Sequence, residues 1–353
     1  MLVACSAAFC QSYTPPVTEE SGSQPAGKYG DMREFPSDGW SGMPAEWFGS
    51  DQARRFAHNV LMWQTPSGGW PKVTRLHTRA KSDSAGRSAS FDNNSTIPQM
   101  RFIGSMYQAT GEPQYRNSFI RALDFILAVQ MPSGGWPQAY PGRGYQKYVT
   151  YNDWAMIHVM ELLRDVAAGK YAFVGPEYAA MADAAVQRGV ECILKTQIVV
   201  NGRLTAWCQQ YDPATLLPAK ARAFELPSIS AAESSGIVLF LMGIADPSPR
   251  VKAAVHASAA WFKVSMLTGI RVARQGGDAV VVADPNAQPL WARFYDIATN
   301  RPIFVSRDSV PRANLSEISE ERRNGYMWYG RWPARVLNRY QDWCAKHGEK
   351  PVE

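Results

Sequence analysis

The chain has 353 residues, 46% of them apolar and 19% charged, enough to bury a sizeable core in one large domain or two ordinary ones. No uninterrupted apolar run approaches the roughly 18 residues of a membrane-spanning helix, so a soluble globular body is expected. A formal net charge of +6 and a pI near 9.0 point to an anionic partner, but the basic residues are scattered, with no long Lys/Arg run and no zinc-finger or RNA-binding signature; this argues against nucleic acid and for a localised anionic substrate.

In chain order, Leu2-Val3-Ala4-Cys5 resembles a bacterial lipoprotein cleavage box that lacks the charged start and apolar stretch normally ahead of it. The expectation is an exported form, periplasmic or outer-membrane-associated, with a processed or clipped start and a lipid anchor at Cys5. Residues 11–30 are rich in Pro, Ser, Gly and charge and read as a linker, so residues 1–30 are taken as a flexible segment and 31–353 as one domain. The cysteines at 5, 10, 192, 208 and 344 show no CxxC pair and no zinc spacing, which disfavours a disulfide framework. Cys192 reads as a small buried hydrophobe, and a Cys192–Cys208 bridge stays open if the chain is exported.

The segment 50–64 has helical periodicity and ends in "QTPSGGWPK"; the segment 114–130 does the same and ends in "QMPSGGWPQ". A weaker third copy covers 178–197 and runs into "NGRLTAWCQQ". The glutamines at 64, 130 and 197 set a period of about 66 residues, room for two helices and a long loop. The second helix of each unit falls at 96–111, 154–169 and 231–244, more apolar all round, as an inner helix should be. Gly111 and Gly169 suit helix C-caps. The pattern is an all-α-dominated α/α toroid, an incomplete barrel of repeated hairpins, with further helices closing or flanking it. The glycines permit positive φ or close approach, proline ends the helical run, and tryptophan plugs the mouth between hairpins. After residue 270 short β-branched runs and Gly/Pro read as strands and loops covering one end, and 330–348 forms a last helix.

Three polar stretches stand where the repeat places a loop before an inner helix: "SFDNNST" (90–96), "VTYNDWA" (149–155) and "LPAKARAFELPS" (217–228). Repeat-related positions point into the same end of the ring, so Asp92 with Asn93, and Asp153 with Asn152, should face each other as oxygen ligands for a hard cation such as calcium. The competing reading of each Asp is a helix N-cap. Lys220, Arg222, Arg293 and Arg307 supply cations able to grip carboxylates. Each can instead be a surface residue or a salt bridge to Glu225, Asp296 or Asp308, and that second reading is preferred for Arg301 and Arg312.

The motifs "FDNNST", "YNDWAMIHVMELL", "PAKARAFELPSIS", "WARFYDIATNRPIFVSRD" and "NGYMWYGRWP", with the Gly-Gly-Trp-Pro loops, resemble those of the polysaccharide lyase family 10 pectate lyases, in unbroken order over 40–345. The resemblance implies a catalytic toroid domain that cleaves polygalacturonate, an acidic polysaccharide, by calcium-assisted β-elimination, acting as a monomer. It implies Asp153 as the main calcium ligand, with Asp92 and Asn93 at the same subsite. Arg222 becomes the Brønsted base, Lys220 and Arg307 stabilise developing charge, and Arg293, Asn152 and Tyr326 join them in holding substrate. Trp154 beside the key aspartate, and "NNSTIP" in the first loop, depart from the family's usual text. A lysine, two arginines and a divalent cation near Arg222 are expected to depress its pKa. His158, one turn beyond Asp153, is the rival base, with packing as its other role. Two alternatives are a non-catalytic pectin-binding module and an inverting glycoside hydrolase using Glu225 and Asp153. A triterpene cyclase would need an Asp-x-Asp-Asp acid that the chain lacks.

Overall fold

The computed structural model describes residues 40, 42–72, 87–92 and 95–352. Cys5, the 11–30 segment and Asn93 lie outside the described residues. The helices run α1 (Asp51–Trp63), α2 (Ile97–Thr110), α3 (Pro113–Ala128), α4 (Ala155–Ala167), α5 (Pro176–Thr196), α6 (Ala231–Met242), α7 (Pro249–Val264), α8 (Glu320–Gly325) and α9 (Trp332–Lys346). The neighbours α2–α4, α4–α6 and α6–α9 form an inner row, and α3–α5 and α5–α7 an outer one, giving the expected incomplete α/α toroid. Residue patterning explains the split. α1 buries the stripe Ala53, Phe56, Ala57, Val60 and Trp63, whereas α4 buries residues around its circumference, including Met156, Ile157, Val159, Met160, Leu162 and Leu163. Gly111 and Gly169 take positive φ just past α2 and α4, as their caps require.

The repeated glutamine, glycine and tryptophan each make the same bonds in successive units. Gln64 Nε2 donates to Gly68 O (2.6 Å) in its own loop and to Ser118 O (2.9 Å) of α3. Gln130 Nε2 does so to Gly134 O (2.8 Å) and Ala185 O (2.9 Å) of α5, and Gln197 Nε2 to Thr205 O (2.9 Å) and Ala254 O (3.1 Å) of α7. One side chain thus ties each loop to the next outer helix. Gly68 and Gly134 have φ of +107° and +91°, and a Cβ on either would overlap the carbonyl oxygen of Arg121 or Arg188. Trp70, Trp136 and Trp207 are fully buried, and each indole donates back to its own outer helix, at Val60 O (2.6 Å), Ile126 O (2.9 Å) and Ile193 O (2.8 Å).

A fourth unit completes the row. Trp291 donates to Phe262 O (2.7 Å) at the end of α7 in the same manner. Its marker is hidden in the sequence because an antiparallel hairpin, Ile270–Gln275 with Asp278–Ala283, is inserted between the helix and the tryptophan. The region after 270 is otherwise short two-residue strand pairs, as expected. The Cys192–Cys208 bridge is not formed. Both cysteines are free and buried: Cys192 Sγ packs on Gly135, while Cys208 lies in the third loop, where its N–H donates to Tyr211 Oη. Burial pushes both thiols up, Cys192 to about 11. No helix among the described residues is long and apolar enough to cross a membrane.

Candidate functional site

The residue two places after each buried tryptophan is Lys72, Gln138, Gln209 or Arg293. Backbone pairing brings these four to one end of the ring. The carbonyls of Gln138, Gln209 and Arg293 accept from Phe91 N, Tyr151 N and Ala231 N, each at 2.9 Å, pinning every loop to the strand that enters the preceding inner helix. Their side chains then meet the polar residues that follow those strands. Gln138 Nε2 donates to Asp92 Oδ2 (2.7 Å) and Gln209 Nε2 to Asn152 Oδ1 (2.6 Å). Arg293 Nη2 donates to Glu233 Oε1 and to Asp153 Oδ1 (3.1 Å), while Lys72 pairs with Asp92.

Asn152 joins the two expected aspartates, its Nδ2 lying 3.5 Å from Asp92 Oδ1 and 3.2 Å from Asp153 Oδ2. The capping alternative fails for both. The N-caps of α2 and α4 are Thr96 and Trp154, neither with a side-chain capping bond, so neither carboxylate is used as a helix cap. Glu233 is 1% exposed and Arg293 8%. Burial alone would lower the Arg293 pKa, but the charges of Glu233, Tyr326 and Asp153 outweigh it and the net shift is upward. Arg293 is therefore a fixed cation.

Arg222 enters from the 217–228 loop. Its Nε donates to Glu225 Oε2 (2.7 Å) and its Nη2 to Glu225 Oε1, a two-pronged pairing with a buried carboxylate. Tyr326 Oη donates to Glu225 Oε1 (3.0 Å) and accepts from Gln209 Nε2 (3.3 Å), so Arg222 and Arg293 belong to one network. Both guanidinium groups lie against the Tyr326 ring, at 5.5 and 4.7 Å from its centroid. The expected depression of the Arg222 pKa is not met in this arrangement. Burial pulls it down, but the hydrogen bond and charge of Glu225 exceed that pull and the net direction is up.

Lys220 and Arg307 are placed at the edge. Lys220 Nζ donates to Ser309 Oγ (2.8 Å), and exposed Arg307 pairs with Glu321 (2.9 Å), which also holds Arg322. Phe224 connects Arg307 to the site, because Arg222, Arg307 and Arg322 all lie over its ring, at 4.8, 5.9 and 4.5 Å. Arg312 pairs with Asp308, the bland role preferred for it. The His158 ring packs edge-on to Trp154 at 6.4 Å. Sequence reasoning missed Lys72, Gln138, Gln209, Glu233 and Arg322. Counting two residues on from each repeated tryptophan would have found the first three, whereas Glu233 hides in the apolar text of an inner helix.

Among the described residues no group of three His, Cys, Asp or Glu side chains forms a ready metal cage. The donor chemistry nevertheless fits a hard cation. Asp92 and Asp153 sit within reach of a single amide, and the buried Gln138 and Gln209 Oε1 atoms have no hydrogen-bond partner, so the cluster is rich in oxygen acceptors. Lys72 and Arg293 neutralise the two aspartates in this arrangement.

Comparison with known proteins follows the same lines. Residues 64–337 match the pectic acid lyase family. No curated protein matches the chain. Among solved structures, a family 10 polysaccharide lyase from Cellvibrio cellulosa is 32% identical with a TM-score of 0.75, over 86% of this chain and 97% of that one. An Asp-to-Ala mutant of a family 10 polysaccharide lyase from Cellvibrio cellulosa, in complex with trigalacturonic acid, is 31% identical with a TM-score of 0.76, over 85% and 97%.

Proposed function

The chain belongs to the pectic acid lyase family and is a polysaccharide lyase of the family 10 kind, and from that premise we propose that it cleaves α-1,4-linked polygalacturonate by calcium-assisted β-elimination, leaving an unsaturated sugar at the new end. The observation that carries the proposal is the single hydrogen-bonded network that joins the carboxylates of Asp92 and Asp153, through Asn152 and Gln209, to the arginines Arg293 and Arg222 at one end of the toroid. Support for an acidic sugar comes from the relative bound to trigalacturonic acid.

Asp153 and Asp92 would hold calcium, which when bound neutralises the substrate carboxylate and acidifies the adjacent C5–H. Arg293 receives that carboxylate as a cation fixed by Glu233, and Tyr326 shapes the wall beneath it. Arg222 takes the C5 proton; the C5–H electrons form the C4–C5 double bond and the C4–O bond breaks, the leaving oxygen taking its proton from solvent. Arg222 acts as base only in its neutral form, and its pairing with Glu225 raises the pH at which that form appears, so turnover should climb toward alkaline pH. Lys220 and Arg307 would grip neighbouring carboxylates of the polymer. The inverting-hydrolase reading loses its acid, because Glu225 is held by Arg222 and Tyr326.

Substrate charge tests the recognition half of the proposal. Polygalacturonate should be turned over, fully methyl-esterified pectin poorly, and neutral polysaccharides not at all, measured as bond cleavage at equal polymer concentration. Comparable cleavage of neutral and acidic polymers contradicts it.

A further inference from the structure

Asp153 and Trp154 both adopt left-handed backbone conformations, with φ of +48° and +59°, a strained arrangement for two consecutive residues that are not glycine. Something outside this turn must hold it. The first turns of α6 supply such contacts. Asp153 N donates to Glu233 Oε1 (3.4 Å), and Trp154 Nε1 donates to Ala232 O (2.9 Å). Gly236, one helical turn further on, makes the room: a Cβ there would overlap Cδ1 of the Trp154 indole. Glu233 is fully engaged, since it also accepts from Arg293, from Ser230 Oγ and from Gln209 Nε2 (3.3 Å).

We propose that Glu233 is a positioning residue which, with the Trp154–Gly236 contact, holds Asp153 in its left-handed conformation and anchors Arg293 beside it. The proposal rests on the reading of Asp153 and Arg293 as calcium and substrate groups. Register supports it. Glu233 stands in the third unit where Asp153 stands in the second, each three residues after the strand position whose N–H reaches the buried tryptophan's carbonyl, Ser230 to Trp207 and Thr150 to Trp136. The repeat has thus placed two carboxylates at equivalent positions and turned one inward to hold the other's arginine. The unusual Trp154 beside Asp153 is then the partner of Gly236, and the two are read as one device.

The test compares Glu233→Gln, Gly236→Ala and Asp153→Ala with the unaltered protein. Calcium affinity is read by calorimetry without substrate, kcat and KM on polygalacturonate, and folding by near-ultraviolet circular dichroism and Tm. Gly236→Ala changes no charge, yet it displaces the indole and should weaken calcium binding about tenfold or more and lower kcat comparably. Glu233→Gln keeps the acceptor for Asp153 N but releases Arg293, so kcat should fall about tenfold or more while KM moves less than about threefold. A folded Glu233→Gln protein with unaltered calcium affinity and kcat overturns the proposal, even where Gly236→Ala fails to fold. If Asp153→Ala abolishes calcium binding while the other two variants are silent, only the positioning role falls. If Asp153→Ala is itself silent, the reading of the metal site falls with it.

Discussion

At Arg222 the chain sets a guanidinium, whose ordinary pKa lies above about 12, against a buried carboxylate that moves it further up. The base needs its neutral form, so any change that lowers this pKa should bring activity to lower pH. Glu225→Gln removes the charge and should shift the rising limb of kcat/KM toward neutral pH; an unmoved limb, or one shifted to higher pH, contradicts the link between Glu225 and Arg222. Arg222→Lys keeps a positive charge but loses the two-pronged pairing and displaces the basic atom, and should cost roughly a hundredfold or more in turnover. Near-normal turnover with the same unsaturated products would remove Arg222 from the mechanism. Asp92, Asn152, Asp153 and Arg222 were legible because each sits in a polar stretch that interrupts the helical pattern, whereas Arg293 stood out only within the motif "WARFYDIATNRPIFVSRD". Glu233 was not: it lies in the apolar text of an inner helix, and only the meeting of three units gives it partners.

Helices were legible from apolar period and from the glutamine and glycine punctuation, and their ends fall within a few residues of the sequence reading. The fourth unit was not, since its tryptophan follows a hairpin insertion rather than a glycine pair. The glycines themselves serve two separable purposes. Gly134 and Gly144 both have positive φ, but only at Gly134 would a Cβ strike a neighbouring helix; at Gly144 nothing lies within 4 Å. Gly144→Ala should therefore cost roughly 1 kcal/mol of backbone strain, and Gly134→Ala about 3 kcal/mol or more, because the loop must also back away from α5. Urea unfolding midpoints compare them directly, and equal losses would mean that close approach of loop and helix is not what the repeat protects.

Over the whole molecule, repeated hairpins bring one polar position from each unit to a common end. The proposed calcium ligands Asp92 and Asp153 come from the first two units, the buried Arg293 from the fourth, and the proposed base Arg222 from the 217–228 loop, so these residues meet only when the ring is assembled. Fold class and reaction class were both readable in the sequence, because the repeat text and the site motifs occur in unbroken order. Which charges neutralise one another was not, because pairs such as Arg293–Asp153 and Arg293–Glu233 are set by packing across units. The measurement that bears most directly on calcium-assisted elimination is the ultraviolet absorbance of products from polygalacturonate, followed with calcium and again in excess chelator. The account predicts a rising absorbance from unsaturated ends with calcium, its loss in chelator, and its return when calcium is restored. Chain cleavage into saturated products, or an undiminished rise in chelator, would contradict it.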